Sequence, residues 1–187
     1  MPRPLPYFVA ICVFATSVGI KAFTLEGTVF DQIGREASIR PELLYAVALT
    51  ESGFSPTEAS SSTAPYPWVI RTPNTAFYEK SREAAEHRLR EVLRRHSSVD
   101  VGLMQINLRW HGSKVSDPIE LLNPETNLRI AADILNTNFR RFPNDAFRAV
   151  GLYPSYSKDK RLKYAKRVFR IYNRIIDLSV KSFHCNK

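Results

Sequence analysis

Ala48-Leu49-Thr50-Glu51-Ser52-Gly53-Phe54 and, further along, Asp100-Val101-Gly102-Leu103-Met104-Gln105-Ile106-Asn107 decide how this chain is read. Ahead of the first segment, Pro41 suits the first turn of a helix. Leu43, Leu44, Val47 and Ala48 recur at three- and four-residue spacing, giving a buried stripe that runs towards Glu51. Gly53 then ends the helix. A glutamate in the last turn lies at the negative end of the helix dipole, and its neighbours Leu49, Thr50 and Phe54 offer it no cation. Both effects raise its pKa, and a carboxyl group that keeps its proton near neutral pH is what breaking a glycosidic bond requires. Taken alone, Glu51 reads more simply as a solvated residue at a helix end.

The second segment sets amides at alternate positions among apolar residues, as a loop does when one side packs on a core and the other offers hydrogen bonds to a ligand. For Gln105 and Asn107 the competing role is local bonding to backbone. Asp100, at the head of the segment, reads either as a helix N-cap or as a catalytic carboxylate.

Glu51-Ser52-Gly53-Phe54 followed by Gly102-Leu103-Met104-Gln105-Ile106-Asn107 resembles the catalytic signature of the soluble lytic transglycosylase family, which has a lysozyme-like fold. Asn123-Pro124-Glu125-Thr126-Asn127-Leu128 resembles the start of that family's next core helix, and Ala149-Val150-Gly151-Leu152-Tyr153 stands where the family has Ala-Tyr-Asn-x-Gly. The run Val99 to Asn107 with Arg109-Trp110-His111 is most similar to the members that accompany conjugation and type IV secretion systems. The resemblance implies an all-α domain with a minor strand-like insertion, cutting peptidoglycan glycan strands between N-acetylmuramic acid and N-acetylglucosamine. It implies that Glu51 serves twice, first as acid and then as base towards the muramyl 6-hydroxyl. Ser52, Gln105 and the backbone of Met104 would orient the sugar, with Asn107 in the same strip and Tyr153 positioning Glu51 or the saccharide. Two departures stand out: Ser97-Ser98-Val99-Asp100-Val101 replaces a small-residue run, and Val150-Gly151-Leu152-Tyr153-Pro154-Ser155 replaces Ala-Tyr-Asn-x-Gly, which leaves Ser155 without a firm counterpart. The first departure resembles animal-type lysozymes, whose second carboxylate falls at Asp100. A lysozyme-type hydrolase using Glu51 and Asp100 is therefore the rival expectation, and a non-catalytic wall-binding assembly factor is a third.

Composition agrees with one domain. The 187 residues, 44% of them hydrophobic, allow a single core once a leader is removed. Residues 1–22 read as a signal peptide, with Arg3 in a short basic region, an apolar stretch from Tyr7 to Ile20 and small residues offering cleavage sites. That stretch is too short for a comfortable membrane span. Residues 23–187 are then one domain carrying an insertion over 55–100, exported to the periplasm of a Gram-negative bacterium with no stable span left. Cys12 lacks a lipobox setting, and cleavage leaves Cys185 alone, so no internal disulfide is expected. The formal charge of +9 loses Arg3 and Lys21 with the leader and becomes +7, a surface suited to stem-peptide carboxylates, anionic headgroups or nucleic acid. Much of the excess lies on the segments Arg82 to Arg95 and Lys158 to Lys181, where a solvated helix face is the plainer reading. No zinc-finger spacing or aromatic and basic array of the RNA-binding kind is present, so nucleic acid is not expected as a partner. His87, His96, His111 and His184 have neither HExxH spacing nor a cysteine partner, and no metal or cofactor is implied; His111 beside Trp110 is a candidate to line the cleft.

The patterning predicts helices near Phe30–Ala37, Pro41–Glu51, Glu79–Arg95, Ile106, Pro124–Phe142, Asp145–Leu152 and Asp159–Phe183, the last burying Leu162, Ala165, Val168, Phe169, Tyr172 and Ile176. A flexible Ser/Thr/Ala stretch over 55–64 and an extended run Tyr66–Thr72 lie in the insertion. Tyr66 and Trp68 there are candidates to lay flat faces against sugar rings, or else they pack the insertion onto the domain, which is the commoner fate of Phe77 and Tyr78.

Overall fold

A computed structural model describes residues 23–54, 63–154 and 158–184. The leader, Ser155, Cys185 and most of the Ser/Thr/Ala stretch lie outside the described residues. Helices dominate: α1 Val29–Ala37, α2 Pro41–Ser52, α3 Arg82–Leu93, α4 Leu108–His111, α5 Pro124–Arg141, α6 Ala146–Gly151 and α7 Lys158–His184. The strands are short, with β1 Gly53–Phe54 pairing β2 Ala64–Pro65, and β3 Val69–Arg71, β4 Ala76–Tyr78, β5 Asp100–Val101 and β6 Ile106–Asn107 forming an antiparallel sheet in the order β4-β3-β5-β6.

Caps set most of the helix limits. Asn123 accepts from the amides of Glu125 (2.9 Å) and Thr126 (3.4 Å) with Pro124 at the first helical position, so α5 starts as the sequence predicts. Ser81 accepts from the Ala84 amide and starts α3 three residues later than the charge pattern implied. Gly53 ends α2 because no other residue fits: a Cβ there would lie 2.4 Å from the Leu49 carbonyl oxygen.

α7 packs on α2 and α6, and α5 on α1 and α6, around a core in which Leu44, Val47, Leu128, Leu135 and Val168 are fully buried. The buried face of α7 is rotated from the expected stripe. Tyr164, Ala165, Val168 and Ile175 are inside, Phe169, Tyr172 and Ile176 are half-buried, and Leu162 is exposed. The helix turns its polar-tipped Tyr164 inward because that ring has a partner on α2, described below.

The second decisive segment is a β-hairpin rather than a loop, and the short helix expected near Ile106 follows it two residues on, from Leu108. Val101 pairs Ile106 and Asp100 pairs Asn107, while β5 also pairs β3 through Ile70 and Arg71. The turn needs Gly102, whose φ of 79° puts it in the left-handed region and whose Cβ would stand 2.5 Å from both Asn127 Nδ2 and the Leu121 carbonyl. Gln105 also has a positive φ, 50°, unusual for a residue with a side chain. Asn127, fully buried on α5, clamps this hairpin: its Nδ2 donates to the carbonyls of Val101 (2.9 Å) and Leu121 (2.8 Å), and its Oδ1 accepts from the Met104 amide (2.7 Å). Among the described residues no helix is long and apolar enough to cross a membrane.

Candidate active site

Glu51 sits in the last turn of α2, partly buried, with its carboxyl in a cleft of about 270 Å³. The α2 face towards the core is so completely apolar that the end of the helix is drawn inward with it, and Glu51 loses hydration. Burial therefore pushes its carboxyl up to about 7; the nearby Asp100 charge adds to the rise, while a hydrogen bond from Tyr164 and the positive charges of Arg71 and Arg167 oppose it. Tyr164 Oη donates to Glu51 Oε1 at 2.6 Å, which fixes the carboxyl of a residue that lines the cleft. A carboxyl group with this pKa holds a proton half the time at neutral pH, so it can give one up and later take one back.

Asp100 does not cap a helix. It lies on β5, lines the cleft with Glu51, and its Oδ1 accepts from Asn107 Nδ2 at 2.7 Å. The cap of α4 is Asn107, whose Oδ1 accepts from the Arg109 amide. Sheet pairing produces the arrangement, since antiparallel partners on one face stand together and Asp100 is opposite both Arg71 and Asn107. Burial raises the Asp100 pKa, and the Asn107 bond and Arg71 charge hold it back. Arg71 also reaches the Glu51 carbonyl at 3.5 Å.

The sequence candidates divide into two groups. Glu51, Asp100, Gln105, Asn107, Tyr153 and His111 all line the cleft, together with Arg71 and Trp110. Ser52 and Met104 do not. Ser52 is fully buried, its hydroxyl donating to the Leu103 carbonyl at 2.6 Å and accepting from the Tyr66 amide at 3.1 Å. The Met104 amide is taken by Asn127, and its carbonyl accepts from Tyr153 Oη at 2.8 Å. Both hold the hairpin against α2, so their expected contact with the sugar is corrected to a supporting role. Tyr66 and Trp68 are likewise outside the cleft lining; Tyr66 packs with Phe54, Trp68 and Tyr78, and its Oη donates to the Glu79 carbonyl at 2.5 Å.

Gln105 Nε2 donates to the Gly102 and Val69 carbonyls, and its buried Oε1 has no partner among the described residues. Tyr153 stacks on Tyr164 at 6.5 Å, and burial together with the charges of Glu51 and Asp100 holds its hydroxyl protonated far above neutral pH. Two site residues escaped sequence reasoning. Tyr164 could have been found as the one aromatic with a polar tip beside Ala165 in the α7 stripe. Arg71 is the only basic residue of the extended run Tyr66–Thr72, but nothing in the sequence aims it at Asp100.

Residues 28–167, about three quarters of the chain, match the Transglycosylase SLT domain family. The chain belongs to that family, whose lysozyme-like, mainly α fold with minor strands is the one described above. It is 32% identical over 112 residues to the protein virB1 of Agrobacterium fabrum strain C58, covering 59% of this chain but only 42% of that relative's length. It is 26% identical over 180 residues to a "Peptidoglycan-binding-like protein" of Escherichia coli O157:H7, covering 90% of each. No solved structure matches.

Proposed function

We propose that the protein is a peptidoglycan lytic transglycosylase, cleaving the β-1,4 bond between N-acetylmuramic acid and N-acetylglucosamine and closing a 1,6-anhydro ring on the muramyl product. The observation that carries this reading is Glu51, a partly buried carboxyl in a cleft with its pKa pushed up to about 7. As the acid, Glu51 protonates the glycosidic oxygen while the bond to the anomeric carbon breaks; as carboxylate, it then takes the proton from the muramyl 6-hydroxyl as that oxygen bonds to the same carbon. Tyr164 steadies the carboxylate of the second half-reaction, and Gln105 stands in the lining of the same cleft.

A specific observation favours hydrolysis as the second reading. Asp100 shares the cleft rather than capping a helix, and a retaining hydrolase places a second carboxylate roughly 5–5.5 Å from the acid. The lyase reading rests on family membership and on the Asn107 bond that already occupies Asp100 Oδ1. A wall-binding factor without activity is disfavoured by a fully assembled acid.

Similarity to virB1, over part of that protein, supports a role in opening the wall locally for a secretion or conjugation apparatus, with export to the periplasm by the leader at residues 1–22. The activity is tested by clearing of purified sacculi. The protein should clear them and Glu51→Gln should be slower by at least about 10²-fold; equal clearing by both would take the acid role from Glu51, and no clearing by either would leave the binding-factor reading.

A further inference from the structure

The cleft does not end at Trp110. This indole is 61% exposed, the largest apolar side chain on the described surface, with the Arg109 guanidinium 5.4 Å from its ring centre. Trp110 walls the cleft on one side and a second hollow on the other, and Arg141, Leu152 and Arg161 in turn wall both that hollow and a larger groove of about 760 Å³ between α6 and the start of α7. Cleft, hollow and groove thus share walls and form one trough. The floor of the groove is apolar, from Phe142, Phe147 and Leu162, and its rim is basic, from Arg141, Arg148, Lys158 and Arg161, with Asp159 the one acid in the lining. None of these four cations makes an ion pair among the described residues. Arg141 and Arg148 instead lie over the Phe142 ring, 5.4 and 4.1 Å from its centre. Arg35, Arg82, Arg88 and Arg129, by contrast, are each held by a carboxylate. Guanidinium groups stacked on an aromatic face keep their in-plane donors free for a carboxylate ligand.

We propose that this trough holds the acidic peptide stem of the wall polymer whose glycan lies in the cleft, the stem's carboxylates meeting Arg148 and Arg161 and its methyl groups the apolar floor. The inference rests on the proposed function and adds a substrate class to it: glycan still carrying its peptides is preferred over bare glycan. Charge and apolarity together select the occupant: stripped glycan keeps only one lactyl carboxylate held against each muramyl ring, whereas the stem carries its carboxylates away from the sugar with methyl groups between them, matching a basic rim over an apolar floor.

The test compares the protein with R148Q/R161Q, both positions being exposed and outside the cleft, on intact sacculi and on sacculi stripped of peptide by an amidase. The double variant should keep its melting temperature and its rate on stripped glycan while kcat/KM on intact sacculi falls about five- to tenfold, the scale of losing two partly exposed charge-assisted contacts. An equal loss on both substrates, or none on either, overturns the proposal. Should the unaltered protein cut neither substrate, the proposed activity fails separately, and co-sedimentation decides the trough: retention on intact sacculi that R148Q/R161Q loses supports it, and equal retention refutes it. Binding to phosphatidylglycerol vesicles that the variant alone loses, with sacculi unaffected, would give the groove to a lipid surface and also overturn it.

Discussion

Glu51 carries a cost in the folded state that is also its use. With a pKa near 7 against 4.5 for a free glutamate, the folded chain binds the extra proton between those values. Below about pH 4.5 the group is protonated folded or unfolded and contributes nothing; as pH rises to 7 stability falls, and above that the penalty is complete, at most about 3 kcal/mol. Glu51→Gln should therefore melt at a higher temperature than the parent at pH 8 and at nearly the same temperature at pH 4, in scanning calorimetry. A difference that does not change with pH would mean the carboxyl is not held in the way described. Its neighbours set the alkaline limb of the activity profile. Tyr164→Phe removes a bond that favours the carboxylate, so the limb should move to higher pH; Asp100→Asn removes a charge that favours the protonated form, so the limb should move to lower pH with activity retained below it. A pH–rate profile in which both variants shift the same way would contradict these roles. A folded Asp100→Asn protein without activity at any pH would transfer the second catalytic role to Asp100 and make the reaction a hydrolysis.

The β5–β6 hairpin is the element that turns two separated sequence motifs into one cleft, and Asn127 on α5 is its clamp. Asn127→Ala would take the Asn127 partner from three backbone groups, the carbonyls of Val101 and Leu121 and the amide of Met104, all three on fully buried residues. At about 1–3 kcal/mol for each buried group left unsatisfied, a loss of at least about 3 kcal/mol is expected in urea unfolding. A loss under 1 kcal/mol would show that the clamp is not needed. Much of this scale was legible in the residues. Pro41, Gly53, Asn123-Pro124 and Asp145 mark helix ends by local chemistry that needs no tertiary context. The hairpin was not legible, because Ile106 and Asn107 belong to a strand only through pairing with Asp100 and Val101, and a two-residue strand has no periodicity to read. The same limit left Asp100 open between a cap and a catalytic carboxylate: the helix that follows begins at Leu108, under Asn107. The face of α7 was misjudged in turn because periodicity counts Leu162 as core and cannot know that Glu51 waits to receive Tyr164.

At the scale of the whole molecule, α2 delivers the acid, the hairpin delivers Asp100, Gln105 and Asn107, and α7 delivers Tyr164, so the cleft exists only when all three are packed. The family and Glu51 could be read from sequence, whereas Tyr164 and Arg71 could not, since only the packing of α7 on α2 and of β3 beside β5 brings them to the site. The surrounding basic surface, formally +9 over the whole chain, favours attraction to an anionic wall polymer, and that attraction should weaken with salt. Sedimentation with sacculi at 0.05 and 0.5 M NaCl is expected to show several-fold weaker retention at the higher salt; unchanged retention would give binding to the uncharged glycan alone. The central claim, that one carboxyl performs both proton transfers on this scaffold, is tested most directly by mass analysis of the muropeptides released from purified sacculi. The account predicts 1,6-anhydromuramic ends, lighter by one water than the hydrolysed product and absent with Glu51→Gln. Reducing muramic ends as the main product would contradict it.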